Sequence, residues 1–225
     1  MTAITFQRGL EALEIYGTVT TFVDRLSPTD FLAPTRCRGW TVGDLLFHLT
    51  CDAQRALVTF STPATVPPDV DFATYWAPFQ PLATDEHDVA ETRWLRVSAS
   101  ALSASGMTEL WDDTSSAAVR AAARIDPAEA LATQGHSLTP ADFLATLVVE
   151  ATIHYLDLTV EFDAAIPPPA SALDVVRHTL DARLGQPLRA DWDDVTYALK
   201  ATGRTPIVDD LAVLGDQARL LPLLG

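Results

Sequence analysis

The chain has 225 residues, 48% of them hydrophobic and 20% charged, enough to bury a full core in one domain or one and a half. Thirty acidic against fifteen basic residues leave a formal net charge of −15, which repels phosphate backbones, argues against nucleic acid and points to small-molecule chemistry. No apolar run approaches the roughly 20 residues of a membrane span, and the first residues lack the basic patch and apolar block of an export signal, so a cytoplasmic location without membrane partners is expected.

Ile15, Val19, Phe22, Val23 and Leu26 recur at helical spacing and predict a first amphipathic helix over about residues 6–26, ended where Pro28 pushes its predecessor out of the α region. Thr41 is placed to cap a second helix, 42 to about 60, whose stripe is Val42, Leu45, Leu46, Leu49, Ala53, Ala56 and Phe60. Residues 62–84 carry Pro63, Pro67, Pro68, Pro78 and Pro81 between Phe72, Tyr75, Trp76 and Phe79. That composition fits either a lid over a substrate entrance or an ordered crossover. A third helical region spans about 85–103, Gly106 is expected to break it, and helical propensity resumes over about 108–124. The fourth and most apolar helix has Thr139 as cap and Pro140 in its first turn and runs to about 162. Ile166-Pro167-Pro168-Pro169 reads as a stiff linker, followed by a helix over 171–184, an ambiguous stretch over 192–201 and a final helix over 209–221. The expectation is a mainly α protein: a four-helix bundle over 1–165 and a small C-terminal α(+β) appendage over 166–225.

Chemistry is signalled on the fourth helix. Glu150 and His154 stand one turn apart in an otherwise apolar stretch, at about 340° and about 20° when Phe143 is taken as zero, on the side that a bundle helix buries. A carboxylate and an imidazole on a core face need a partner, a shared proton or a metal ion. Of the other histidines, His87, His136 and His178 have polar or loop surroundings, whereas His48 interrupts the apolar second helix and leans toward the bundle. A His, Glu, His set leaves a position on an ion open for water or a thiolate. An i, i+4 Glu–His pair is also often no more than a helix-stabilising contact, and the spacing alone does not choose between these readings. The two cysteines, Cys37 and Cys51, form no C-x-x-C pair and read as free thiols in a reducing compartment, with no role assigned.

Cys37-Arg38-Gly39-Trp40-Thr41-Val42-Gly43-Asp44-Leu45-Leu46-Phe47-His48-Leu49 resembles the G-W-T-V-x-D-L-x-x-H-L segment of actinobacterial DinB-like proteins, specifically the mycothiol-dependent maleylpyruvate isomerase family. Val149-Glu150-Ala151-Thr152-Ile153-His154-Tyr155-Leu156-Asp157-Leu158 is similar to that family's V-E-x-x-x-H-x-x-D-L helix. The resemblance covers residues 1–165 and, more weakly, Ala201-Thr202-Gly203-Arg204-Thr205-Pro206 to the end. It implies a DinB-like four-helix bundle with a divalent metal, usually zinc, on His48, Glu150 and His154, and with the thiol cofactor mycothiol bound as thiolate at the open position. Asp52 and Asp157 would orient ligands or meet polar groups of the thiol. Arg183, Arg189 and Arg204 are the candidates to supply positive charge to an anionic substrate, with no choice among them, and Arg204 is also expected with Asp52 and Asp157 at the thiol cofactor.

The expected function is therefore a metal-dependent enzyme adding a mycothiol thiolate to an electrophilic small molecule. The outcome is either a conjugate, as in a thiol S-transferase, or a cis–trans isomer, as in a maleylpyruvate-isomerase-like enzyme. The alternative is a non-enzymatic DinB-like ligand-binding or stress-response module. The state is expected to be a monomer or a homodimer. A hydrolase lacks support, because G-x-S-x-G and phosphate-binding loops are absent and Gly135-His136-Ser137 has no strand–turn–helix context.

Overall fold

The computed structural model describes residues 3–77 and 86–224, with backbone alone for 86–91. Pro78, Phe79, Pro81 and Asp85, and the side chains of His87 and Val89, lie outside the described residues. The helices are α1 Phe6–Ala12, α2 Ile15–Val23, α3 Val42–Phe60, α4 Glu86–Ala99, α5 Ala104–Ala122, α6 Pro140–Leu158, α7 Ala170–Leu184, α8 Asp194–Ala201 and the short α9 Leu211–Leu214. Strands β1 Leu131–Thr133 and β2 His136–Leu138 form a hairpin that pairs Leu131 with Leu138 and Thr133 with His136. Gln134 and Gly135 make its turn with φ of 46° and 83°. The strand content thus precedes α6, and the described residues after 166 are helical or irregular.

The bundle is a ring in which the α1–α2 unit packs on α6, α6 on α3, α3 on α5, and α5 back on α2. The third bundle helix is therefore α5, while α4 packs chiefly on the outer side of α3. Gly106, expected as a breaker, sits in the first turn of α5, where its N–H donates to the capping Ser103 Oγ at 3.1 Å. The expected first helix tightens at Leu13–Glu14, where the amides of Glu14 and Tyr16 reach back only three residues, to Glu11 and Leu13. The expected final helix is replaced by a 3-10 turn at Val208–Asp210, α9, and a 3-10 segment at Gly215–Leu220. Gly215, with φ of 56°, ends α9 in a conformation a longer side chain rarely adopts.

α6 is buried on nearly every side, because α1, α2 and α3 cover its bundle face and α7 and α8 cover the other. Val175, Val176, Leu180 and Tyr197 after the proline run belong to the same continuous apolar core as Leu45, Leu144 and Val148. No helix among the described residues is long and apolar enough to cross a membrane.

Trp111 on α5 anchors the far side of the bundle. It is wholly buried, packs edge-on against Tyr16 at 5.3 Å and donates its indole N–H to Thr20 Oγ1 at 3.0 Å. Trp111→Ala is expected to lower the unfolding free energy by about 3–5 kcal/mol in denaturant titrations. Val66→Ala, at a 60%-exposed side chain in the loop after α3, should change it by less than about 0.5 kcal/mol.

Candidate metal centre

Two helices and one loop build the site. Before α3 the chain turns at Cys37–Trp40, closed by Trp40 N–H to Cys37 C=O at 3.0 Å, and Gly39 takes the φ of 80° that this turn requires. Thr41 and Asp44 then form a capping box, with Thr41 N–H to Asp44 Oδ2 at 2.9 Å and Asp44 N–H to Thr41 Oγ1 at 3.2 Å. The cap fixes where α3 begins, so His48 falls in the second turn, its ring edge-on to Trp40 at 5.4 Å. From α6, Glu150 and His154 project toward it.

The three side chains meet. His48 Nε2 is 3.1 Å and His154 Nε2 is 3.2 Å from Glu150 Oε1, and the two imidazoles lie edge to face at 4.9 Å. One nitrogen from each ring and one Glu150 oxygen lie within 4.8 Å of one another. Side-chain exposures of 20% for His48 and 29% for Glu150 leave the cluster reachable from solvent. Asp52, one turn beyond His48, puts Oδ2 3.3 Å from His48 Nε2 and makes no hydrogen bond through that buried oxygen. Asp157 is fully buried and accepts from His154 Nδ1 at 3.0 Å and, on both oxygens, from Arg204 Nε at 3.0 Å. Arg204 is thereby held against the back of His154.

Arg183 donates to the carbonyls of Ala73 and Leu223, and Arg189 to that of Leu214. Arg55, exposed on α3, is the arginine whose charge acts on both Asp52 and Tyr75. Spacing offered a signal for it, since His48, Asp52 and Arg55 follow i, i+4, i+7 on α3. Cys37, given no role from the sequence, lies beside the site, its thiol donating to Asp157 Oδ2 at 3.3 Å with His154 Nδ1 at 3.7 Å. His136 lies 3.1 Å from Asp69 on the hairpin, and His178 packs at 5.6 Å from Phe72. Of the proline-rich segment, Tyr75 faces the site electrostatically: burial, then the charges of Glu150 and Asp52, push its hydroxyl up to about 12.

Charge organises the cluster. Burial acts to raise the Glu150 carboxyl, yet the His154 charge and hydrogen bonds from both rings hold it well below the usual carboxylate range. Burial likewise opposes charging of His154, but Glu150 and the hydrogen bonds that its ring makes to Asp157 and Cys37 push it well above the usual imidazole range. Burial raises the Asp52 carboxyl to about 6, with His48 opposing. The metal-free cluster is therefore an ionised Glu150 beside a protonated His154.

Two donor sets are present, His48–Glu150–His154 and Cys37–His154–Asp157. The second would place a cation on a carboxylate that Arg204 already neutralises, and would need the His154 nitrogen that is hydrogen-bonded to that carboxylate. The first uses the opposite nitrogen, Nε2. Two of its three separations, 3.1 and 3.2 Å, approach the edge of about 3.3 Å that a tetrahedron with zinc–nitrogen bonds of about 2.0–2.1 Å requires, and the third lies within 4.8 Å. The donor chemistry and spacing fit a divalent ion.

Loss of the buried cation has a defined consequence. Arg204→Ala is expected to cost about 3–5 kcal/mol of unfolding free energy at pH 7, because it strands Asp157 in the core. Burial works to raise Asp157, but His154 and Arg204 hold its carboxyl below the ordinary 3.8. That stabilisation is present above 3.8 and is lost as pH falls through the depressed native value. The gap between variant and wild type should accordingly shrink below pH about 4, as read from denaturant midpoints against pH.

The family model for the mycothiol maleylpyruvate isomerase N-terminal domain matches residues 13–159, well over half of the chain. A crystal structure of the mycothiol-dependent maleylpyruvate isomerase is 16% identical with a TM-score of 0.57, covering 84% of this chain and 74% of that chain. A histidine-to-alanine mutant of that isomerase superposes with a TM-score of 0.55 at the same identity and coverage. At this identity the likeness establishes the fold. No curated protein sequence matches the chain. Taken with the capped α3 and the Glu150–His154 helix, the match over 13–159 shows that the chain belongs to the mycothiol maleylpyruvate isomerase N-terminal domain family.

Proposed function

We propose that this protein is a metal-dependent enzyme that uses the thiol mycothiol against an electrophilic small molecule, yielding either a thiol conjugate or, after rotation about a carbon–carbon bond, a cis–trans isomer. The observation that carries this reading is the convergence of His48 Nε2, His154 Nε2 and a Glu150 oxygen within 4.8 Å at a solvent-reachable point of the bundle. Two imidazoles and one carboxylate are the ligand chemistry of catalytic zinc sites, which leave a position open. An ion bound there would supply the positive charge that keeps a thiol ionised at neutral pH.

The chain's own residues do the rest. Asp157, backed by Arg204, orients the His154 ring and keeps Nε2 directed at Glu150. Trp40 packs on His48 and restricts its swing. Asp52, one turn from His48 and with its side chain 25% exposed, receives a polar group of the thiol. Arg55 is the cation available there to an anionic substrate, since Arg183, Arg189 and Arg204 are engaged elsewhere. Tyr75 borders the mouth, its hydroxyl tied to Gln134 of the hairpin turn. A second reading, a non-enzymatic ligand-binding or stress-response module, draws on the fact that His48 and His154 already satisfy Glu150 without an ion.

Metal content separates the two. The purified protein should carry about one divalent ion per chain and lose it in His48→Ala, Glu150→Ala and His154→Ala, by elemental analysis. Full occupancy in all three variants would overturn the site. Because His154 is protonated in the metal-free protein up to a pH well above the usual imidazole value, binding must displace that proton, so affinity should fall as pH drops across the neutral range. With cobalt in the site, mycothiol should add a thiolate charge-transfer band that persists in Cys37→Ala and Cys51→Ala. Neither a band nor rate enhancement with any of a panel of electrophiles would remove the thiol assignment.

The mouth gives a further expectation. Tyr75→Ala with Trp76→Ala should raise KM for thiol or electrophile at least about fivefold while leaving metal content unchanged, as expected of a loop that shapes entry. Unchanged kinetics would reduce the loop to a crossover.

A further inference from the structure

A second cavity, of about 1000 Å³, opens between the start of α3, α4, the start of α5 and the 3-10 turn Asp30–Leu32. None of His48, Asp52, Glu150 and His154 lines it. Its volume is that of a small-ligand pocket. Phe31 and Met107, 7% and 2% exposed, are its buried apolar lining, whereas Leu32 and Val97, from two different elements, are 73% and 63% exposed. Apolar side chains left open to water around one concavity are a mark of a binding surface.

The polar part of the lining has a definite sign. Arg93 and Arg96 stand one turn apart on α4, and among the described residues neither donates a hydrogen bond. Among the described residues, the carboxylate nearest Arg96 is that of Asp44, which pairs with it at 3.9 Å, longer than a hydrogen bond. Asp44 Oδ2 is already engaged by the Thr41 amide at 2.9 Å and the Thr41 hydroxyl at 2.8 Å, which hold it to the start of α3. In a chain of net charge −15, two guanidinium groups over an apolar cavity, neither of them hydrogen-bonded among the described residues, select for an anion, and a planar fork of donors matches a carboxylate.

We propose that this cavity is a binding site, separate from the metal centre, for a small amphipathic monocarboxylic acid. The acid's alkyl or aryl body lies on Phe31, Leu32, Val97 and Met107, and its carboxylate is held by Arg93 and Arg96. The assignment requires neither metal nor thiol.

Ligand-observed NMR titration of the full chain with sodium octanoate tests it, with octylammonium and octanamide as controls. Octanoate should bind saturably at one site, the double change Arg93→Ala, Arg96→Ala should weaken it at least about tenfold, and the controls should bind at least about tenfold more weakly. Val97→Glu, a change at an exposed position that leaves the fold intact, should weaken octanoate by a similar factor. Octanoate affinity should be the same in His154→Ala. No saturable binding, equal binding of octylammonium, indifference to the Arg93/Arg96 and Val97 changes, or loss of binding in His154→Ala would each overturn the proposal.

Discussion

The carboxylate of Asp157 has no exposure to water, and its charge is tolerable only because Arg204 Nε and His154 Nδ1 both lie 3.0 Å from it. Three separate stretches of chain are fixed by that requirement. The end of α6 carries Asp157, residues 202–204 bring Arg204, and the loop before α3 contributes the Cys37 thiol to the side chain and the Arg36 amide to the Asp157 carbonyl. A histidine gripped at Nδ1 by a buried anion presents Nε2 in one direction only, here toward Glu150. Arg204 lies outside the segment matched by the family model, so the ring's orientation rests on the C-terminal part of the chain.

The site follows from two facing helical stripes. On α6, Glu150, His154 and Asp157 fall at i, i+4 and i+7, and on α3 His48, Asp52 and Arg55 do the same. Where α3 and α6 pack together, the inner members of the stripes, His48, Glu150 and His154, come within hydrogen-bond distance. Asp157 is turned back toward the C-terminal segment, and Asp52 and Arg55 continue the stripe along α3. The polar groups that a bundle core would normally exclude are thus collected in one line with neutralised charge behind and a reachable opening in front.

Asp44 and Asp157 illustrate two uses of a buried carboxylate on neighbouring elements. Asp44 terminates a helix: its oxygen satisfies the amide and hydroxyl of Thr41, and α3 acquires a fixed start. That engagement leaves Arg96 with only a long ion pair to Asp44, at 3.9 Å, among the described residues. Asp157 instead balances a cation from a distant segment and orients an imidazole. The first use is local and the second is tertiary, a difference that runs through the molecule.

What residue order by itself determined is what depends on neighbours within a turn or two. The limits of α3, the Thr139–Pro140 start of α6 and the placing of Glu150 and His154 on one side of α6 follow from caps and the 3.6-residue period. The G-W-T-V-x-D spacing carried the turn, the cap and the histidine together. Tertiary structure decided the rest. α5, not α4, became the third bundle helix, because helical period says which face is apolar but not which partner covers it. The segment 209–221 has helical composition but breaks into 3-10 turns around Gly215, which takes a φ of 56° beside the Leu214 carbonyl that Arg189 engages. Arg204, expected at a ligand, pairs in the structure with the buried Asp157, a charge 47 residues away that no local pattern marks. Cys37 carries no local motif that marks it, and only the convergence of the loop with the end of α6 puts its sulfur beside Asp157 and His154. Pairings across such distances arise where buried charge must be matched, and sequence period contains no record of that match.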